Sequence, residues 1–192
     1  MQLILASLSP RRRELLSRLG YPFEVHSLPT REFSDGDLAP ELLPARNAEA
    51  KAAAVADKFP DAAVVGADTV IVFDGRIIGK PRDAEDAFRT LTRLSGHTHE
   101  VTTGVALLCN RDGVRKVWSE SSFVTFKPLP PETIREYLRR VDVLDKAGSY
   151  ALQEHGDMLI DRVEGDADNV VGLPLERLAA ELARLPIRAS RK

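Results

Sequence analysis

The run Leu3-Ile4-Leu5-Ala6 breaks into Ser7-Leu8-Ser9-Pro10 and then, with no spacer, into three arginines and a leucine pair. No other stretch restricts the fold so tightly. Four apolar residues between polar ones read as a short buried strand from Gln2 to Ala6. Proline is tolerated in a helix only in the first turn, where its missing N–H would have no intrahelical partner. Pro10 therefore marks a helix start, with Ser9 as the N-cap. Leu15, Leu16 and Leu19 recur at helical spacing, and Gly20 stops the helix.

The same alternation of strand-length and helix-length patterns continues along the chain. Phe23 to Ser27 reads as a second strand, and Thr30 to Pro40, acidic and poor in apolar groups, as a loop. Pro40 to Lys58, rich in Ala, Glu, Lys and Leu, predicts a long helix that ends before Pro60. Ala62–Gly66 and Thr69–Phe73 read as two strands, and Asp74-Gly75 as a hairpin turn into Arg76-Ile77-Ile78. A helix capped by Asp83 runs to Leu94. Glu100–Leu108 and Val114–Phe126 predict two long strands joined by the turn "NRDG". Thr98, Thr102, Thr103 and Thr125 suit exposed strand faces. Pro131–Arg140 predicts a helix, Met158–Val163 a strand and Leu173–Leu185 a last helix, with "RASRK" as a frayed tail. Strands and helices alternate without repeat or linker, so the expectation is an α/β protein with a mixed sheet.

The 192 residues suit one domain, or one domain with two lobes. A formal net charge of -2 gives no global signal for a nucleic-acid or membrane-surface binder, so any cationic site must be local. Cys109 is the only cysteine, which excludes an intramolecular disulfide and a cysteine metal cluster. A reducing, cytoplasmic setting is expected. The arginines follow the first apolar run rather than precede it, unlike a secretory signal, and no run nears the ~20 residues of a membrane span.

Four stretches carry candidate chemistry. At "SLSPRR" a helix N-terminus presents free backbone N–H groups, Ser7 and Ser9 add hydroxyls, and Arg11 and Arg12 add planar cations. Taken alone, the stretch fits a phosphate cradle and a cap with a solvated arginine face equally well. Three arginines in the first turn oppose the helix dipole, which argues for an anion as their partner. In "VVGADTVIVFDGRIIGKP", Asp68 follows an apolar strand and a Gly-Ala pair, where a strand-end carboxylate commonly serves as metal ligand or general base. Thr69 can donate to a ligand, and Lys80 is held between Gly79 and Pro81. Each of these, alone, also fits a turn residue or a surface charge. Lys51 in "RNAEAKAAAV" fits a solvated helix lysine, and Glu32 in the acidic loop could be a second carboxylate for a divalent cation. In "DKAGSYALQEHG", Asp145, Lys146, Tyr150 and Gln153 form a polar set; a glutamine amide offers donor and acceptor to a base edge. His97 and His99 alternate on a strand edge and read as surface residues, and none of His97, His99 and His155 has metal spacing with cysteine.

Together "ASLSPRR", "RNAEAKA", "GADTVIV", "GKP", "LSGHTHEVTTGVAL", "FKPL", "DKAGSYALQ" and "NVVGLPL", in this order from Leu3 to about Leu178, resemble the Maf family of nucleoside triphosphate pyrophosphatases. The resemblance implies a single α/β domain over residues 1–192, ITPase-like, with an elongated mixed sheet flanked by helices and two lobes about a central cleft. It also implies hydrolysis of a nucleotide between its α- and β-phosphates, with a divalent cation, Mg²⁺ or Mn²⁺, as cofactor. Asp68 matches the family's proton acceptor; Ser7, Arg11, Arg12, Lys51 and Lys80 match phosphate-holding positions; Glu32 and Asp68 match the metal's carboxylates. "GADT" with "DKAGSYALQ" looks like the subgroup acting on dTTP and UTP, with Arg11, Thr69 and Gln153 as specificity positions. A 7-methyl-GTP pyrophosphatase, or a nucleotide-sensing cell-division regulator without turnover, stays open. The expected partner is a nucleoside triphosphate, with no nucleic acid and no membrane; the sequence does not give the oligomeric state, and a homodimer is a plausible guess for a small metabolic enzyme.

Overall fold

The computed structural model describes residues 1–34 and 36–187; the tail expected to fray, 188–192, lies outside the described residues. These residues form seven strands and six α-helices: β1 (Leu3–Leu5), α1 (Pro10–Ser17), β2 (Phe23–Val25), α2 (Leu43–Ala56), β3 (Ala63–Phe73), β4 (Arg76–Ile78), α3 (Ala84–Leu94), β5 (Thr98–Cys109), β6 (Val114–Phe126), α4 (Pro131–Arg140), β7 (Ile160–Glu164), α5 (Ala167–Val171) and α6 (Leu175–Leu182). The strands form one mixed sheet in the order β2-β1-β3-β5-β6-β7, with β4 paired to β3. β1 runs parallel to β2 and β3, whereas β4 on β3 and β7 on β6 are antiparallel. The α/β class and mixed sheet are those the alternating pattern predicts.

The chain divides into two compact units. The first comprises Met1–Asp68, Thr103–Glu120 and the segment from Gly172 onward. Its core joins Ile4 and Ala6 with Ala48, Ala52, Val55 and Val64. The second comprises Thr69–Thr102 and Ser121–Val171, with a core of Leu91, Leu94, Phe126, Ile134, Tyr137 and their neighbours. Strands β3, β5 and β6 each contribute residues to both units.

Several local expectations are corrected. The segments 62–66 and 69–73 are one eleven-residue strand, β3. Gly66-Ala67-Asp68 does not break it, because Gly66 is needed there for a close packing contact rather than for a turn. The last helix is shorter than expected, α6, and a separate short helix, α5, precedes it. Thr102 and Thr103 are buried, not exposed. Thr102 Oγ1 lies 2.8 Å from Ser121 Oγ, which satisfies a hydroxyl on a covered face. His99 is also buried, at 2% exposure, with Nε2 2.8 Å from the Tyr150 hydroxyl and its ring edge-on to Phe126. The hairpin at Asp74-Gly75 forms as expected: both residues take positive φ, 51° and 69°, as a type I′ turn requires.

Candidate active site

The first unit assembles a site from two junctions. One is the strand-to-helix turn between β1 and α1. Ser9 caps α1, its Oγ accepting from the Arg12 amide at 3.5 Å. Ser7 Oγ accepts from the Ser9 amide at 3.3 Å and from Arg12 Nη1 at 3.4 Å. Arg12 Nε donates to the Gly172 carbonyl at 2.9 Å. The guanidinium is thus fixed on two sides, with Ser7 itself buried. Desolvation by burial pulls Arg12 below the ordinary arginine value; Asp68 and Glu32 pull it upward, and neighbouring Arg11 adds to the lowering. Arg12, Arg11, Asp68 and Glu32 therefore share one electrostatic field. No acidic side chain lies in the first turn of α1 to neutralise its arginines.

The other junction is α2 on β3. A Cβ at Gly66 would overlap the Ala48 carbonyl oxygen, and one at Gly104 in β5 would overlap the Pro44 backbone. The two glycines let the α2 backbone rest directly on the sheet. Side chains two apart on a strand share a face, so Asp68 faces the same helix as Gly66. Asn47 and Lys51, one turn apart on α2, reach it. Lys51 Nζ lies 2.7 Å from Asp68 Oδ1, and Asn47 Nδ2 donates to Asp68 Oδ2 at 3.1 Å. Asp68 is 14% exposed and Lys51 18%. The same Lys51 Nζ lies 2.9 Å from Glu32 Oε1, so two carboxylates converge on one ammonium.

Asn47 is the residue of this arrangement that the sequence reading passed over. It is 2% exposed, its Oδ1 accepts from the Phe33 amide at 2.7 Å, and its Nδ2 donates to the Phe33 carbonyl at 3.1 Å. One amide therefore fixes both Asp68 and the loop carrying Glu32. The available signal was its spacing of four from Lys51, beside the alanines at 48 and 52 that meet Gly66.

Ser7, Arg11, Arg12, Glu32, Lys51 and Asp68 thus fall in one unit, and Thr69, Lys80 and Gln153 in the other. Thr69 is half-buried, while Lys80 and Gln153 are exposed. Within the second unit, the Gly148 amide donates to the Gly79 carbonyl at 3.1 Å, tying the loop that leads to Gln153 to the turn that carries Lys80. That loop is further held by buried Lys146, whose Nζ reaches the Asp142 carbonyl at 2.5 Å and Asp145 Oδ1 at 2.9 Å. The Ala151 amide donates to the Tyr137 hydroxyl at 2.9 Å, which pins the loop to α4.

Among the described residues no three His, Cys, Asp or Glu side chains group as a metal cage. The pair Glu32–Asp68 still suits a hard divalent cation. Mg²⁺ and its like take oxygen ligands and are usually held by one or two carboxylates plus substrate phosphates. Among the described residues no helix is long and apolar enough to cross a membrane.

Comparison with known proteins places this arrangement in context. The family model described as Maf-like protein matches residues 2–185. The chain is 47% identical to the dTTP/UTP pyrophosphatase of Akkermansia muciniphila, covering 97% of both chains. It is 46% identical to the dTTP/UTP pyrophosphatase of Moorella thermoacetica, over 95% of this chain and 94% of that one. Among solved structures it resembles the Staphylococcus aureus Ham1 protein with a TM-score of 0.55. That match covers 96% of this chain and 99% of the other at 13% identity, and so speaks to the fold alone.

Proposed function

The chain belongs to the Maf family, and from that premise we propose that it hydrolyses dTTP and UTP to the nucleoside monophosphate and pyrophosphate. The observation that carries the reading is the convergence of Asn47, Lys51 and Glu32 on Asp68, in a chain nearly half identical over its length to dTTP/UTP pyrophosphatases. A net charge of -2 favours a free nucleotide over a nucleic acid as partner. A single buried cysteine fits a cytoplasmic setting.

In this mechanism the β1–α1 turn binds phosphate oxygens. Ser7 and Arg12 are pre-set by their mutual hydrogen bond, and Arg11 adds a second guanidinium. A fixed guanidinium fork matches phosphate geometry in two parallel bonds, and positioning it beforehand removes an ordering cost from the reaction. Asp68 accepts the proton of the water that attacks phosphorus. Asn47 holds one of its oxygens, so the carboxylate does not rotate away from the water, and Lys51 covers the other until substrate arrives. The cations of the first unit stabilise the charge that builds on the departing pyrophosphate, and Lys80 has its phosphate-holding role from the family resemblance alone. Mg²⁺ or Mn²⁺, held by Glu32 and Asp68, would add charge neutralisation on the phosphates. The family resemblance assigns base preference to the positions of Arg11, Thr69 and Gln153, and the amide of Gln153 offers both a donor and an acceptor.

The test is pyrophosphate release from dTTP, UTP, CTP, GTP, ATP and 7-methyl-GTP with Mg²⁺ or Mn²⁺ present. Fast release from dTTP and UTP is expected. Preference for 7-methyl-GTP would overturn the base assignment, and nucleotide binding without any release would overturn the enzyme.

A further inference from the structure

We propose that Lys51 is an internal counter-cation of the metal site: its ammonium and a bound divalent ion compete for the same two carboxylates, so nucleotide and metal bind cooperatively. The inference rests on the reading of the site as a nucleotide pyrophosphatase, and deepens it. Three observations carry it. Lys51 Nζ lies within hydrogen-bond distance of both carboxylates, 2.7 Å from Asp68 Oδ1 and 2.9 Å from Glu32 Oε1. Those oxygens are the hard donors a divalent ion requires, and an ammonium group that close would repel a dication on the same atoms. Asn47 already holds Asp68 and the backbone beside Glu32, so the carboxylates are gathered by the protein itself.

The lysine can also leave. Its ammonium sits on a flexible four-carbon stem with rotatable donors, so it can turn to another anion while α2, seated on Gly66 and Gly104, stays in place. A triphosphate, held by Ser7 and Arg12, brings such an anion. In the free protein Lys51 neutralises the pair and keeps metal affinity low. When phosphates take the ammonium, Glu32 and Asp68 are released for the metal. Linkage requires the converse as well: bound metal frees Lys51 for phosphate and tightens nucleotide binding by the same factor.

The experiment is calorimetric titration of Mn²⁺ into the wild-type protein and Lys51→Met, each alone and each saturated with a dTTP analogue bearing an imido group between its α- and β-phosphates. Without nucleotide, Lys51→Met is expected to bind Mn²⁺ about tenfold more tightly than wild type; with the analogue the two should agree within about threefold. Lys51→Gln, which keeps a polar head, should follow the same order and serves if the methionine variant folds poorly. No tightening in the free variants would overturn the competition. Equal tightening with and without the analogue would overturn it too, because that is the mark of a general field effect. Absence of Mn²⁺ binding in every case would remove the site itself. Wild-type pyrophosphate release from dTTP, measured in parallel, judges the underlying reading separately. An enzyme that turns over while its Mn²⁺ affinity ignores Lys51 refutes the competition alone.

Discussion

Asp68 is held by Asn47 and Lys51 of one helix, and the carboxylate and its Asn47 donor each make a distinct prediction at the level of the single residue. Asp68→Asn keeps the shape and loses the proposed proton acceptor. It should retain nucleotide binding and lower kcat by about 10²–10⁴-fold, the usual worth of a positioned general base. Near wild-type turnover would remove Asp68 from that role. Asn47 gives a sharper case. Asn47→Ala deletes the donor to Asp68 and the two-way contact with Phe33, and should lower kcat about tenfold while costing about 1–3 kcal/mol of stability. Asn47→Asp replaces that donor, 3.1 Å from Asp68, with a second carboxylate. It should be the worse of the two in both kcat and denaturation midpoint. The reverse order would mean that Asn47 acts only as packing.

At the scale of elements, the site depends on how closely α2 approaches the sheet. Gly66→Ala puts a methyl group against the Ala48 carbonyl and 2.9 Å from the Ala52 Cβ. The helix must rise or slide, and overpacking of this kind costs roughly 1–3 kcal/mol. Because Asn47 and Lys51 ride on that helix, turnover should fall along with the urea midpoint. An alanine variant that loses stability but keeps full kcat would show that helix position does not govern the carboxylate. The element list was largely readable in the sequence because its signals are local: Ser9-Pro10 for a helix start, Asp74-Gly75 for a hairpin, Pro60 as a limit on α2. What stayed hidden was long-range. Gly66 reads as a break between strands when only neighbours along the chain are considered, and becomes a continuous strand once the helix that presses on it is known. Asn47 was hidden for the same reason: its partners lie at Phe33 and Asp68, and no pattern along α2 announces them.

For the molecule as a whole, stability should carry a titration that the sequence did not suggest. His99 reads as a surface residue from its alternating position, but the packing of Phe126 and Tyr150 around it pushes its pKa down to about 4 from 6.5. The unfolded chain therefore takes up a proton first as pH falls, and the native state is weakened from about pH 6.5 down to about pH 4. The full effect is roughly 3 kcal/mol. His99→Gln keeps a partner for the Tyr150 hydroxyl and removes the titration. Urea unfolding of both proteins across this window should show the wild-type advantage shrinking as pH falls. Parallel curves would contradict the buried, uncharged histidine.

The two compact units are each built from separated stretches of chain, and the first takes pieces from the beginning, the middle and the end. A single breakpoint anywhere along the gene therefore cuts the first unit into parts. Exchange of one unit for a relative's by simple recombination is closed to a protein wired in this way. The β1–α1 turn and the Glu32–Asp68 pair lie in the opening stretch of the first unit, so every such recombinant sets them on later segments of the same unit from another parent.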